Sequence, residues 1–199
     1  KKYKQSLEYA EELLSSMKEY DAFLYDKYLF YYYNILVLIY AKKDKKKALD
    51  CLNKASDSEV IKKSPSYNAF IYLNRSLIYY YEDNYKESQK NISRLIMQED
   101  FLLLDKSFQL KILVTELMIR LSISNKNLDN KFKDIKKNYK SLLEEENHLR
   151  EKIMIGLLSK KINNEDIVDN KEDLLSIMSD SDSEDIDIIS YNSWIRNNL

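Results

Sequence analysis

The chain has 199 residues, 44% of them hydrophobic and 33% charged, with a formal net charge of −1. That balance supports a sizeable core under a charged surface and excludes a bulk cation that coats nucleic acid or an anionic membrane. One glycine, one proline and one cysteine argue against glycine-turned sheets and doubly wound folds and exclude an intramolecular disulfide, which leaves an all-α chain with loops of Lys, Asn, Asp and Ser.

The first residue is Lys1 rather than Met, which fits a fragment or processed product with a signal or further repeats upstream. Lys4 to Tyr20 carries Leu7, Ala10, Leu14 and Met17 at spacings of three and four, an amphipathic helix. Asp21 is placed to cap the next helix. Phe23 to Ala41 is apolar nearly all round, so it is predicted to be sandwiched between neighbours. Its longest apolar run, Tyr28 to Ala41, contains Asn34. It falls short of the roughly 20 apolar residues that a spanning helix needs, so no membrane span is expected.

Lys42 to Lys45 is a polar break, and Lys46 to Ala55 a second helix with Ala48, Leu49, Leu52 and Ala55 inward. Ser56 to Ser66 is a connector holding Pro65, with Ser64 or Ser66 as the cap of a helix over Tyr67 to Tyr81. Glu82 to Asn84 is the next break, and Tyr85 to Met97 the partner helix with Ser88, Ile92, Leu95 and Ile96 inward. Asp105 is the predicted cap of Ser107 to Ser122. Beyond a loop over Ser124 to Asn127, Leu128 to Leu143 shows a stripe of Phe132, Ile135, Tyr139 and Leu142.

A fourth pair is predicted over His148 to Ile162 and Asp166 to Met178, with Ile153, Leu157 and Leu158 facing Ile167, Leu174, Leu175 and Met178. Ser179 to Asp185 reads SDSDSED, a solvated linker. In the last segment Ile188, Tyr191, Trp194, Ile195 and Leu199 fall near helical spacing, and Ser181 with Glu184 forms a capping-box pattern. The predicted organisation is a helical-repeat domain over 1–178, an acidic linker over 179–185, and a C-terminal helix over 186–199. That helix either caps the final repeat or docks onto another chain.

Lys27 to Ser56 has an echo in Tyr67 to Ile96. At an offset of 40, Phe30, Tyr32, Asn34 and Tyr40 fall on Phe70, Tyr72, Asn74 and Tyr80. Ala10, Ala48 and Ser88 recur at 38 and 40 residues. A small residue at such a spacing lets two helices approach while the aromatic of the next helix fills the groove.

Over Leu7 to Ile96 the chain resembles the tetratricopeptide-repeat (TPR) family. Tyr72, Asn74, Ser76, Tyr79, Tyr80, Tyr85, Ser88, Ile92 and Leu95 carry the likeness in the second hairpin, and Tyr32, Asn34, Ala48, Leu52 and Ala55 in the first. It departs from the family at the inter-helix turns, where Lys43 and Asp83 replace glycine, and at Leu36, where the family has a small residue. The resemblance implies stacked antiparallel helical hairpins, an αα-solenoid wound as a right-handed superhelix. It also implies a peptide-binding groove lined by the first helix of each repeat. The corresponding positions are Phe30, Tyr33, Val37 and Tyr40, then Phe70, Leu73, Leu77 and Tyr80, with Lys111 and Thr115 as the only polar pair at comparable places. The family's carboxylate clamp of lysine and asparagine is replaced by Tyr33, Val37, Leu73 and Leu77, so binding of chaperone tails is not implied.

Catalytic chemistry finds little support. His148 is the only histidine, and its E-x-x-H with Glu145 lacks the second histidine that a di-iron carboxylate site requires. Glu144 to Glu146 read instead as a solvated helix start, and Cys51 as a packed thiol. Gly156, the single glycine, lies inside an apolar helix and is predicted at a close helix–helix contact. Two lysine groups stand out: Lys42, Lys43, Lys45, Lys46 and Lys47, then Lys131, Lys133, Lys136, Lys137 and Lys140. With tyrosines nearby they suggest single-stranded RNA, but interleaved Asp44, Asp50 and Asp134 favour solvated helix faces.

The expected function is a protein–protein interaction scaffold or assembly component, possessing no enzymatic activity, cofactor or metal and binding a protein or peptide partner. A helical-repeat RNA binder and a subunit completed by a partner chain are the alternatives. A cytoplasmic location is expected from the lone cysteine and the missing span.

Overall fold

The computed structural model describes residues 2–19, 22–123, 128–163, 165 and 187–198, and for residues 2 and 22–27 the helical backbone alone. The predicted cap Asp21, the loop Ser124 to Asn127, the helix Asp166 to Met178 with its apolar stripe, the acidic run 179–185 with its capping box, and the terminal Leu199 lie outside the described residues. Every regular element described is a helix, as the shortage of glycine and proline predicts. No described helix is long and apolar enough to cross a membrane. The chain divides into two compact units, Lys1–Phe101 and Leu102–Leu199.

The first unit holds α1 (Lys2–Glu19), α2 (Ala22–Ala41), α3 (Lys45–Asp57), α4 (Glu59–Lys62), α5 (Tyr67–Tyr80) and α6 (Tyr85–Ile96), and its boundary falls within α7 (Glu99–Leu103). α1 packs on α2, α2 on α3 and α5 on α6, while α2 and α3 both pack on α5. The short breaks between partners force them to run antiparallel. Each break supplies a cap. Asp44 accepts from the Lys47 N–H at 3.0 Å, and Asn84 from the Glu87 N–H at 3.3 Å, which satisfies orphan donors of the helix start. Met17, Val37, Ala48, Leu52, Ala55, Phe70 and Ile78 form the core. Alanines at 48 and 55 let α3 lie close to α2.

Three local expectations change in this unit. The connector Ser56 to Ser66 contains the short helix α4, capped by Ser58, whose Oγ accepts from the Ile61 N–H. Neither serine proposed as the α5 cap accepts from α5 with its hydroxyl: Ser66 stands at the N-cap without a side-chain cap bond, and the Ser64 and Ser66 hydroxyls pair with each other at 3.1 Å. The α5–α6 turn, where glycine is missing, places Asp83 at φ 57°. Aspartate tolerates this left-handed region better than most residues. The Tyr85 hydroxyl holds it there, donating to Asp83 Oδ1 at 2.7 Å.

The second unit holds α8 (Lys106–Ser122), α9 (Asp129–Asn138), α10 (Lys140–Leu143), a 3₁₀ turn over Glu146–His148, α11 (Leu149–Asn163) and α12 (Tyr191–Asn198). Asp105 caps α8 as predicted, accepting from the N–H groups of Ser107 and Phe108. α8 packs on α11, which also meets α9 and α10.

The helix predicted over Leu128 to Leu143 is broken at Tyr139, which has φ −118° and ψ 21°. The cause is tertiary. The Tyr139 hydroxyl donates to Gln109 Oε1 at 2.8 Å, and the Gln109 amide donates to the carbonyls of Leu102 and Leu104, so the tyrosine is pinned into the core of α8. Gly156 is also corrected: a Cβ added there meets no atom within 4 Å, so the glycine does not mark a close helix contact.

Candidate functional site

The ten groove positions divide between the two units. In the first, the rings of Phe30 and Phe70 meet at 4.7 Å between centroids, which joins α2 to α5 at equivalent places in the two hairpins. Val37, Phe70 and Leu77 lie in the core, while Phe30, Tyr33, Tyr40, Leu73 and Tyr80 are half-buried. In the second unit Thr115 is fully buried and its hydroxyl donates to the Lys111 carbonyl at 2.8 Å; Lys111 is half-buried.

Among the described side chains of α2, the apolar ones most open to solvent are instead Tyr31 and Leu38, 53% and 46% exposed, and on α1 Tyr9 is 63% exposed. Tyr31 and Leu38 are two helical turns apart and so share a face. The sequence carries no signal for this. α2 is apolar on every side, and without a polar stripe the outward face is unmarked.

Lys42 lies over the Tyr81 ring, Lys43 over Tyr3 and Lys47 over Tyr40, at 5.5, 4.1 and 5.5 Å. These lysines therefore sit against tyrosine faces rather than beside open rings. Burial, reinforced by Tyr85, Tyr81 and Asp83, pushes the Tyr80 hydroxyl well above the usual phenol range. The hydrogen bond to Asp83, and after it burial, pushes Tyr85 up to about 12. Burial also raises the Cys51 thiol, the opposite of what an activated nucleophile needs.

His148 is buried in the second unit, its Nδ1 3.5 Å from the equally buried Glu151 Oε2 but off hydrogen-bond alignment. Glu145, its predicted motif partner, is exposed. Among the described residues no three His, Cys, Asp or Glu side chains are grouped to hold a metal. Glu116 is buried between Arg120 and Lys131, at 2.7 and 2.8 Å, a charge neutralised from both sides and so suited to holding α8 to α9.

The C-terminal helix is seated inside this unit. Tyr191, Trp194 and Ile195 of α12 are buried, as is Ile189 before it. Asp187 forms a 2.8 Å ion pair with Arg150 and also accepts from the Tyr191 N–H at 3.0 Å. Arg150 lies over the Tyr191 ring, while Lys161 lies over Trp194 and donates to the Asn198 carbonyl. Arg150 is near the start of α11 and Lys161 near its end, so α12 runs beside α11 in the same direction.

One cavity of this unit has a distinct chemistry. About 270 Å³ in volume, it is lined by Lys136 of α9, Lys140 and Leu143 of α10, Glu144, and Lys152 and Ile155 of α11. α9 and α10, which meet at Tyr139, both pack on α11 beside it.

No family model, curated protein or solved structure matches the chain.

Proposed function

We propose that the chain is a non-catalytic protein-interaction scaffold or assembly component built of TPR-like stacked hairpins. One observation carries the reading: the two hairpins of the first unit meet through equivalent residues while Tyr31 and Leu38 remain exposed on α2. Phe30 touches Phe70 and Asn34 bonds to Asn74, each pair 40 residues apart, so the hairpins associate in register. Exposed aromatic and aliphatic side chains sharing one helix face are what a protein partner buries at the centre of an interface. The buried His148 and the raised Cys51 thiol support a role without catalysis. The RNA alternative is less well supported, since three of the five lysines of the 42–47 run, Lys42, Lys43 and Lys47, lie over tyrosine faces that a base would need for stacking.

The test compares the wild-type chain with a Tyr31→Glu/Leu38→Glu variant, each immobilised in extract of the cells that make the protein. Both positions are exposed, so stability should change by no more than about 0.5 kcal/mol. The wild type retains a partner protein at near-stoichiometric yield and the variant, with an unchanged melting curve, loses it. Equal recovery by both, or retention by neither, overturns the reading.

A further inference from the structure

We propose that α12 is a detachable strap: it occupies a helix-binding seat beside α11 and leaves it as one piece while the rest of the second unit stays folded. This concerns the second unit alone and stands or falls separately from the Tyr31 and Leu38 face.

The seam of α12 has the chemistry of an interface. α8 and α11, which pack together, bring fully buried Leu110, Leu117, Leu157 and Leu158 to the unit. α12 is tied differently. Asp187 meets Arg150 at 2.8 Å at one end, and Lys161 donates to the Asn198 carbonyl at the other. Between these ties Arg150 lies over the Tyr191 ring and Lys161 over Trp194, each at 5.6 Å. Buried aromatic anchors faced by cations, with an ion pair beside them, are the means by which one protein holds a helix of another. Ser193, Arg196 and Asn197 are exposed, so α12 is covered on one side only.

The seam is also incompletely bonded. The Tyr191 hydroxyl, Asn192 Oδ1 and Trp194 Nε1 of α12 and Asp187 Oδ1 before it are buried without a hydrogen-bond partner. So is Oε2 of Glu151 on α11, whose charge reaches Tyr191. Among the described residues of the first unit, only Asn74 and Asn91 have such an atom. A polar atom in this condition is better solvated once water reaches it. Departure of α12 therefore restores bonds that offset part of the apolar burial it gives up. The Arg150–Asp187 pair acts in the same direction, because the attraction of two buried charges repays their lost hydration only in part.

The chain permits the motion. α12 has eight residues, too few to remain a helix once its packing is gone, so it is seated whole or not at all. Residues 164–186 join α11 to Asp187, and a stretch of that length can reach about 75 Å at about 3.3 Å per residue. α11 is only about 22 Å long. Leaving the seat thus need not pull on α11, and the tether keeps the segment at high local concentration for its return.

The experiment puts a protease recognition sequence in place of residues 179–185 of the full chain and cuts the folded protein there. Before the cut, Trp194 emission should be blue-shifted. After it, dilution to about 0.1 μM should release the piece ending at Leu199, because a contact of micromolar strength does not survive that dilution. Release is read as a red shift of Trp194, while far-UV circular dichroism keeps the remaining helices and a cooperative melt. A fluorescein-labelled 186–199 peptide added to the diluted cut protein should then bind, with a rise in anisotropy at about 10 μM. Peptides carrying Trp194→Ala or Asp187→Ala should bind at least about tenfold less tightly, and since these changes lie in the peptide, the folded body is the same in every measurement. Four results overturn the inference: a Trp194 that stays blue-shifted on dilution, loss of the remaining helices together with the red shift, no binding of the wild-type peptide, or equal binding of the two altered peptides.

Discussion

Asn34 and Asn74, 40 residues apart, hydrogen-bond to each other: the Asn74 amide donates to Asn34 Oδ1 at 3.3 Å and also to the Phe70 carbonyl at 2.9 Å. Asn74 is buried, so its polar group is held inside the seam between hairpins. A buried amide that loses its partner costs about 1–3 kcal/mol. Asn34→Ala should therefore destabilise the first unit by about 1 kcal/mol and Asn74→Ala by about 2 kcal/mol. A double-mutant cycle from urea denaturation should give a coupling of about 0.5–1 kcal/mol. Strict additivity of the two changes would show that the asparagines do not join the hairpins.

The same hairpin carries a second internal lock, in which Ser76 and Ser88, both fully buried, each donate to the other's backbone carbonyl at 2.9 Å. Their small side chains permit the close crossing of α5 and α6. The Asp83–Tyr85 bond that closes this hairpin makes it sensitive to alkali. Folded Tyr85 keeps its proton to about pH 12, whereas an unfolded tyrosine releases it near pH 10. The folded pKa is the higher one, so the contribution is whole below pH 10 and is lost as pH rises through 12. Urea midpoints by circular dichroism should fall between pH 9 and pH 12, and less steeply in Tyr85→Phe. Asp83→Gly relieves a left-handed backbone but removes the hydrogen bond, two effects of about 1 kcal/mol each and opposite in sign. Stability near pH 7 should then barely change, while Tyr85 titrates closer to an ordinary phenol in absorbance at 295 nm.

How much was legible depends on the range of the forces involved. Asp105 as the cap of α8 is a contact over three residues, and it reads directly from the chain. The hairpin echo is longer in range but repeated, so Phe30 and Phe70 could be paired by their matching positions. The outward face of α2 was hidden, since Tyr31 and Leu38 are as apolar as the core positions beside them. The break at Tyr139 was hidden because Phe132, Ile135, Tyr139 and Leu142 keep helical spacing, and the hydroxyl that breaks it reaches Gln109, 30 residues back. The lysine cavity brings together α9, α10 and α11, whose meeting the pattern does not show. Its lysines could be seen in the sequence, but that Lys152 lines the same cavity as Lys136 and Lys140 could not.

Gly156 offers a stabilising change. It lies inside α11, where glycine is less favourable than alanine by about 0.5–1 kcal/mol, and a methyl added there meets no atom within 4 Å. Gly156→Ala should raise stability by about that amount and the melting temperature by a few degrees. A lower melting temperature would mean that the site has less room than its geometry indicates.

The seat of α12 can be followed through its own chromophore, because Trp194 is the only tryptophan. Its ring is buried, so native emission should be blue-shifted and should move to the red when α12 leaves. Arg150 faces Asp187, whose carboxyl is raised by burial despite the hydrogen bond from that guanidinium. Removing one partner of a buried pair costs about 3–5 kcal/mol, because the remaining charge is left without compensation. Arg150→Ala should therefore release the tryptophan at lower urea. An Arg150→Met/Asp187→Leu double substitution, which leaves no orphaned charge, should recover most of the loss. Trp194→Ala should destabilise by about 3–5 kcal/mol through the cavity it opens. Deleting residues 187–199 tests the role of the segment as a whole. A helix that completes its own unit takes with it the buried Tyr191, Trp194 and Ile195, so the thermal midpoint of the truncated chain should drop by several degrees. An unchanged midpoint would show that the segment contributes nothing to the unit in which it is seated and would favour its use as a docking helix for another chain.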